Sequence, residues 1–255
     1  MLLVVDIGNT NITLGIFNDD ELIATFRLTT TLQRTSDEYS VMIMSFMQTH
    51  NLAKEEINDI IIASVVPKIM HSFINSITKT LNKEPIIIGP GVKTGISINT
   101  DNPREVGADR IVDLVGAYYC YGGNTLVVDF GTATTFDYID EKGVFSYGVT
   151  IPGIQISSQA LSSKAAKLPE IELKKPKSIL ATNTVDSMQA GIVYGYIGQC
   201  EYIINKFKET LKKDFKVIAT GGLGRLICQE TPLINEYDPT LTFKGLNLIY
   251  KRTKR

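Results

Sequence analysis

LLVVDIGNTNIT, residues 2–13, is an apolar run that ends on an acid and then turns back on itself. Leu2 to Val5 carries the branched side chains of a strand buried inside a sheet, and Gly8, Asn9 and Thr10 read as a tight turn into a return strand, Ile12 to Phe17. A carboxylate at the mouth of a buried strand is costly unless it faces a cation or hydrogen-bond donors, so Asp6 suggests a metal or phosphate site. On this stretch alone, a turn residue capping its own loop is the better reading.

The balance shifts further along, where TLVVDFGTATT at 125–135 repeats the phrase. Leu126 to Val128 is again apolar, Asp129 ends the run, Gly131 and Thr132 form the turn, and Thr134 to Ile139 returns. A third strand is expected from Lys142 to Val149, as it is from Glu21 to Leu28 in the first copy, where Leu22, Ala24, Phe26 and Leu28 share one face at period two. The chain therefore reads as two copies of one unit. Two such hairpins facing each other across a cleft would set backbone N–H groups and Thr hydroxyls against phosphates and an acid beside a cation.

Composition narrows the class. The 255 residues suit one large or two modest domains, and 26 basic against 27 acidic residues give no general pull toward nucleic acid or membrane. No apolar run reaches the roughly 18 residues of a bilayer span, and no basic leader with a cleavage site precedes the first strand, so a cytoplasmic protein is expected. Cys120, Cys200 and Cys228 lack CxxC spacing and are expected to be buried reduced thiols. His50 and His71 form no pair suited to catalysis or metal ligation.

Between the two copies, Thr35 and Glu38 have capping-box spacing ahead of a helix of about 15 residues. Ile60 to Val66 is a buried strand, Pro67 begins a helix through Leu81, and Pro85 to Ile88 is a short strand, which together argue a parallel crossover. Pro103 is expected to open a helix whose early residues are EVGADRI, bringing Asp109 and Arg110 near its N-terminus. A first-turn acid favoured by the helix dipole and a solvated ion pair are the bland readings of those two residues.

After the second copy, Pro152 and Gly153 precede a helix with Ile154, Ile156, Leu161 and Ala165 toward the interior or a partner. The lysine-rich stretch 164–178 reads as a solvated surface loop rather than a lid. Asn183 caps a long helix to Leu211, and Phe215 to Ala219 is a strand leading into Thr220, Gly221, Gly222 and Gly224, a turn that lets backbone approach a nucleotide. A last helix spans Leu241 to Tyr250, with KRTKR at 251–255 as a frayed end.

Four motifs in register, DIGNTNIT at 6–13, GADR at 107–110, DFGTATT at 129–135 and TGG at 220–222, resemble type III pantothenate kinase over essentially the whole chain. That family belongs to the acetate and sugar kinase, Hsp70 and actin superfamily. The resemblance implies an α/β fold of two tandem ribonuclease H-like (actin-like ATPase) domains, each a mixed sheet with flanking helices around a central cleft, with boundaries expected at 1–115 and 116–255. It implies ATP-dependent phosphorylation of pantothenate to 4′-phosphopantothenate, the first step of coenzyme A biosynthesis, by a homodimer that uses neither nucleic acid nor membrane.

By position, the resemblance assigns Asp6, Ile7, Gly8, Asn9, Thr10, Asn11, Ile12 and Thr13 to the first phosphate loop for ATP, with Asp6 near Mg²⁺, directly or through water. Gly107, Ala108, Asp109 and Arg110 match the pantothenate-binding segment, with Asp109 as proton acceptor. Asp129 matches the acid that holds a monovalent cation, K⁺ or NH₄⁺, Thr132 matches an ATP contact, and Thr184 a substrate contact near the dimer interface. Gly221 and Gly222 are the expected contacts at the adenosine end. Thr100 stands where many members carry an aromatic residue, which implies a different pocket wall.

The residues fit phosphoryl transfer on chemical grounds as well. The reaction needs in-line positioning and charge neutralisation more than a nucleophilic side chain, and proton acceptance by a carboxylate of ordinary pKa suffices in a loose transition state. The sequence has neither GxxxxGK[ST] nor a kinase-type GxGxxG, so the acid-ended hairpins are the available phosphate grip. Arg110 suits the substrate carboxylate or a phosphate, and residue type does not choose between them. A small-metabolite kinase of the same superfamily and a nucleotide-binding transcriptional accessory protein are the competing readings.

Overall fold

The repeated phrase becomes two repeated hairpins. In a computed structural model, which describes residues 1–254, β1 (Leu2–Ile7) and β7 (Thr125–Phe130) share one burial pattern, buried throughout except at Asp6 and Asp129. Their return strands, β2 (Asn11–Asn18) and β8 (Ala133–Ile139), also match residue for residue over their first seven positions. Each pairs antiparallel with its third strand, β3 (Glu21–Thr29) or β9 (Val144–Pro152), and the register slips at the equivalent place, Ile16/Phe17 in one and Tyr138/Ile139 in the other. A shared bulge position is a feature of the unit and not of either local sequence.

The chain forms two compact units, one of Met1–Cys120 with Leu241–Arg255 and one of Tyr121–Thr240. In the first unit the sheet order is β3-β2-β1-β4-β5, with β4 (Asp59–Ser64) and β5 (Ile86–Ile87) added in parallel. Parallel addition requires a crossover, supplied by α1 (Ser36–Thr49) and α2 (Pro67–Leu81). The expected capping box is formed: Thr35 N–H donates to Glu38 Oε2 at 2.8 Å, and Glu38 N–H to Thr35 Oγ1 at 3.3 Å. Tyr39, Phe46 and Phe73 on these helices pack against Val5, Leu14 and Ile62 on one face of the sheet. Val112 and Val115 from α3 (Ala108–Tyr121), with Phe243, Leu246 and Ile249 from α7 (Leu241–Thr253), cover Leu2, Val4 and Ile61 on the other.

In the second unit β10 (Lys216–Thr220) and β11 (Glu236–Tyr237) join β7 in parallel, giving the order β11-β10-β7-β8-β9. The core on this sheet is closed by α4 (Ile154–Lys164), α5 (Thr184–Leu211) and α6 (Gly224–Cys228), with Ile154, Val193, Tyr196, Ile204 and Ile227 inside. Between the hairpins lies one further two-residue strand, β6 (Ser97–Ile98).

Several expectations are corrected. The helix expected from Pro103 is only a 3₁₀ turn over Pro103–Glu105; Val106 is extended and α3 starts at Ala108. Cys120 is exposed, whereas Cys200 is buried and Cys228 partly so. On α4, Ile154 is buried while Ile156 and Leu161 are exposed and so do not face the interior of this chain. The segment at 164–178 is tied down in part, since Pro176 is buried, Gln189 donates to Glu172 O at 2.9 Å and Lys175 pairs with Glu230 at 2.8 Å. The basic tail is helical through Thr253 instead of frayed: Arg252 lies 3.9 Å from the centroid of the Tyr119 ring, and Lys254 reaches Asp59 at 2.8 Å. Arg255, the last of that tail, lies outside the described residues. Among the described residues no helix is long and apolar enough to cross a membrane.

Candidate active site

In the first unit, Asp6 sits one residue before the end of β1, in register with Thr13 on β2 and with Ala63 on β4. The strand on each side supplies backbone partners, so the half-buried carboxylate is carried by a rigid frame. The turn that follows closes on itself through Gly8 N–H to Asn11 O at 2.9 Å. The residue after β3, Thr30, latches it from outside: its N–H donates to Thr10 O at 2.9 Å and its hydroxyl to Gly8 O at 2.7 Å. Asn9 and Thr10 stay exposed at the tip.

The GADR segment meets this turn on Val65. Val65 N–H donates to Ile7 O at 3.0 Å, while a side chain placed on Gly107 would approach Val65 Cγ1 at 3.4 Å. The same added carbon would collide with Asp109 Oδ1, so glycine at 107 leaves room for the Asp109 carboxylate over the start of α3. Asp109 Oδ1 accepts the Arg110 N–H at 2.8 Å. Burial pushes the Asp109 carboxyl above its usual range, against the opposing pull of that N–H and of the Arg110 charge. Asp109 therefore holds a proton more readily than an ordinary carboxylate, contrary to the expectation of an ordinary pKa. Thr100, half-buried ahead of this segment, has a buried hydroxyl that meets no hydrogen-bond partner among the described residues.

In the second unit, Asp129 takes the equivalent place on β7, in register with Thr135 on β8 and Thr220 on β10. Two glycines crowd it. Gly221 has φ +91°, and an added Cβ there would stand 2.5 Å from Asp129 Oδ1; one on Gly131 would stand 3.1 Å from Oδ2. Tyr237 on β11 fixes the Gly221 turn by donating its hydroxyl to Gly221 O at 2.9 Å. Outside the hairpin turn, Gly153 N–H donates to Thr132 O at 3.1 Å. Thr132 and Gly222 are exposed.

Asp6 and residues 107–110 are thus brought together in the first unit, and Asp129, Thr132 and Gly221 in the second. Thr184 is joined to neither group. It opens α5 behind the Asn183 cap, whose side chain accepts Asp186 N–H at 2.9 Å, and it is exposed about 18 Å along the helix axis from Tyr196. Sequence reasoning gave no site role to Thr30, Gly153, Tyr196 or Tyr237. Each acts across more than ten residues, and only the internal repeat, which aligns Thr30 with Gly153, could have pointed to one of them.

The donor sets suit the groups that phosphoryl transfer would require. Among the described residues no three His, Cys, Asp or Glu side chains cluster to cage a metal. A single carboxylate such as Asp6 fits Mg²⁺, which keeps waters and takes its other ligands from substrate phosphates. Around Asp129 the bare glycines leave a cradle that a Cβ would fill, which fits a small cation on its carboxylate.

Comparison with known proteins identifies a family. The family model for type III pantothenate kinase matches residues 2–206. A type III pantothenate kinase of Agathobacter rectalis is 56% identical over 256 residues, covering 100% of this chain and 98% of that one. Another, from Bifidobacterium animalis subsp. lactis, is 51% identical and covers 99% of each. Among solved structures, a Baf family transcriptional activator from Campylobacter jejuni superposes with a TM-score of 0.60 at 21% identity, covering 99% of this chain and 98% of that one. A 2-dehydro-3-deoxygalactonokinase from Sinorhizobium meliloti gives 0.60 at 14% identity, over 99% and 96%. At those identities the structures speak for the fold alone, two mixed sheets with flanking helices. With the family model spanning most of its length and relatives matching it end to end, this chain belongs to the type III pantothenate kinase family.

Proposed function

We infer that the protein transfers the γ-phosphoryl group of ATP to the primary hydroxyl of pantothenate, giving 4′-phosphopantothenate at the entry to coenzyme A biosynthesis. The observation that carries the reading is Asp109: a carboxyl of raised proton affinity, fixed by its own helix start beside the acid-ended first turn. As the hydroxyl oxygen bonds to phosphorus and the bond to the ADP oxygen breaks, Asp109 takes the hydroxyl proton. The turn at 6–13 holds the phosphates, with Asp6 on Mg²⁺, and Asp129 holds a monovalent cation, K⁺ or NH₄⁺. Both cations offset charge on the transferring group. Thr132, Gly221 and Gly222 contact ATP; Gly107, Ala108 and Arg110 contact pantothenate, near a pocket wall that includes Thr100. This division assigns the catalytic base to the first ribonuclease H-like half, 1–115, and the cation to the second, 116–255.

The working form is a cytoplasmic homodimer. Supporting this, Leu180 is 83% and Tyr202 64% exposed beside or on α5, and nothing lies within 4 Å of a Cβ placed on Gly191, Gly195 or Gly198 of that helix. Such an open, partly apolar helix face suits a second copy. Thr184, exposed at the start of the same helix, contacts substrate near that interface. Replacing Gly195 by Glu is expected to convert dimer to monomer in sedimentation analysis and to raise KM for pantothenate.

A coupled ADP-release assay tests the reaction. ADP should appear only with pantothenate, Mg²⁺ and K⁺ together, and exchange of K⁺ for Na⁺ should slow it. Faster turnover of another alcohol or acid across a substrate panel would reassign the enzyme to a different metabolite. Absence of any ADP release would point to a regulatory protein instead.

A further inference from the structure

We propose that Tyr196 is a positioning residue for the second phosphate turn, setting the Gly131–Thr132 backbone from α5 and thereby the cation and ATP dependence of the enzyme. The inference rests on the functional reading above, which gives Asp129 the cation and Thr132 a nucleotide contact.

The two hairpins are the same unit, alike in burial and bulge, but they brace their turns differently. In the first, Thr30 uses both N–H and hydroxyl, holding Thr10 O and Gly8 O. The equivalent residue in the second is Gly153. Its N–H keeps the bond to Thr132 O at 3.1 Å, but a side chain is excluded, since a Cβ would stand 2.5 Å from Gly131 O. The hydroxyl brace is therefore missing from the hairpin itself.

Tyr196 supplies one from outside. Its buried phenol donates to Thr134 Oγ1 and lies 3.3 Å from Pro152 O. Those partners flank the turn on both sides: Thr134 is in register with Phe130 and Ile151, and Pro152 directly precedes Gly153. The Tyr196 ring also packs against Phe130, centroids 6.4 Å apart, immediately after Asp129. One hydroxyl thus holds the strand leaving the turn and the segment that grips the Thr132 carbonyl. A buried network of this kind fixes geometry beyond what each bond contributes alone.

The test uses the full-length enzyme with Tyr196→Phe, Thr134→Val, Thr134→Ser and the Tyr196→Phe/Thr134→Val double variant. Tyr196→Phe should melt cooperatively with native circular dichroism, while the K⁺ concentration for half-activation and KM for ATP each rise about three- to tenfold, the scale of one lost buried hydrogen bond. KM for pantothenate should not move. Thr134→Val should behave alike, the double variant should be no worse than either single, and Thr134→Ser should stay close to wild type. Unchanged K⁺ and ATP constants, an equal rise in KM for pantothenate, or additive effects in the double variant would overturn the proposal. Calorimetric binding of a non-hydrolysable ATP analogue with and without K⁺ reads the same positioning without turnover. Wild-type protein that binds the analogue in a K⁺-dependent way but leaves pantothenate untouched would sink the substrate assignment alone. Should Tyr196→Phe not fold, the Thr134→Val and Thr134→Ser pair decides.

Discussion

The role proposed for Asp109 asks two things of it that pull against each other. Burial raises its proton affinity, which helps it accept a proton from an alcohol, but the same burial makes its ionised form unfavourable in the folded chain. Because the folded pKa lies above the unfolded one, the neutral acid favours folding; that contribution is complete below the ordinary carboxylate range and is lost as pH rises through the raised pKa. Asp109→Asn, which keeps an oxygen for the Arg110 N–H, should therefore raise Tm at pH 7, with the gain shrinking to nothing toward about pH 4 in a series of melts. The same variant should lose phosphoryl transfer by about two to four orders of magnitude, as expected when a general base is removed. In the wild type, kcat should fall on acidification through the raised pKa, because a protonated Asp109 has no site for the substrate proton.

Among the elements, the glycine turn after β10 carries the sharpest steric demand. Gly221 combines a left-handed backbone with an approach to Asp129 that no side chain permits. Gly221→Ala should cost about 1–3 kcal/mol from the backbone alone, seen as a lower urea midpoint at unchanged slope. It should also blunt K⁺ stimulation by displacing the Asp129 carboxylate. The hairpins, the capping box and most helices were legible in the sequence because each is written in short-range periodicity and punctuation. The start of α3 was not: Pro103 signals a helix, but the chain makes only a 3₁₀ turn there, runs extended at Val106 and begins α3 at Ala108. The two-residue β11 leaves no periodic trace at all. The candidate site was legible where its proposed residues sit in repeated motifs, as Asp6 and Asp129 do. It was silent where a hydroxyl acts from another element, as Tyr196 does across 62 residues to Thr134.

For the molecule as a whole, the last helix matters more than its basic composition suggests. KRTKR looks like a solvated end because its partners are far off in sequence. Arg252 stacks on Tyr119, while Tyr250 donates to Asp59 at 2.6 Å across 191 residues, and burial pushes the Tyr250 hydroxyl up to about 12. Upstream of them Asn247 donates to Asp19 O at 3.0 Å, and Leu246 and Ile249 are fully buried against the first sheet. Leu246→Ala should cost about 2–5 kcal/mol in denaturant unfolding. A chain ended after Thr240 should lose hydrogen-exchange protection in β1 and β4 well before β7 and β10.

That closing helix also bears on how the protein is made. Residues 1–120 leave the ribosome first, yet the unit they belong to is finished only by the final fifteen residues, whereas 121–240 contains every strand and helix of its own unit. Domains usually mature in the order of their synthesis. This connectivity predicts the reverse order: the middle of the chain can settle during translation while the nascent N-terminal sheet waits with one apolar face covered by α3 alone, the state in which a chaperone would find it.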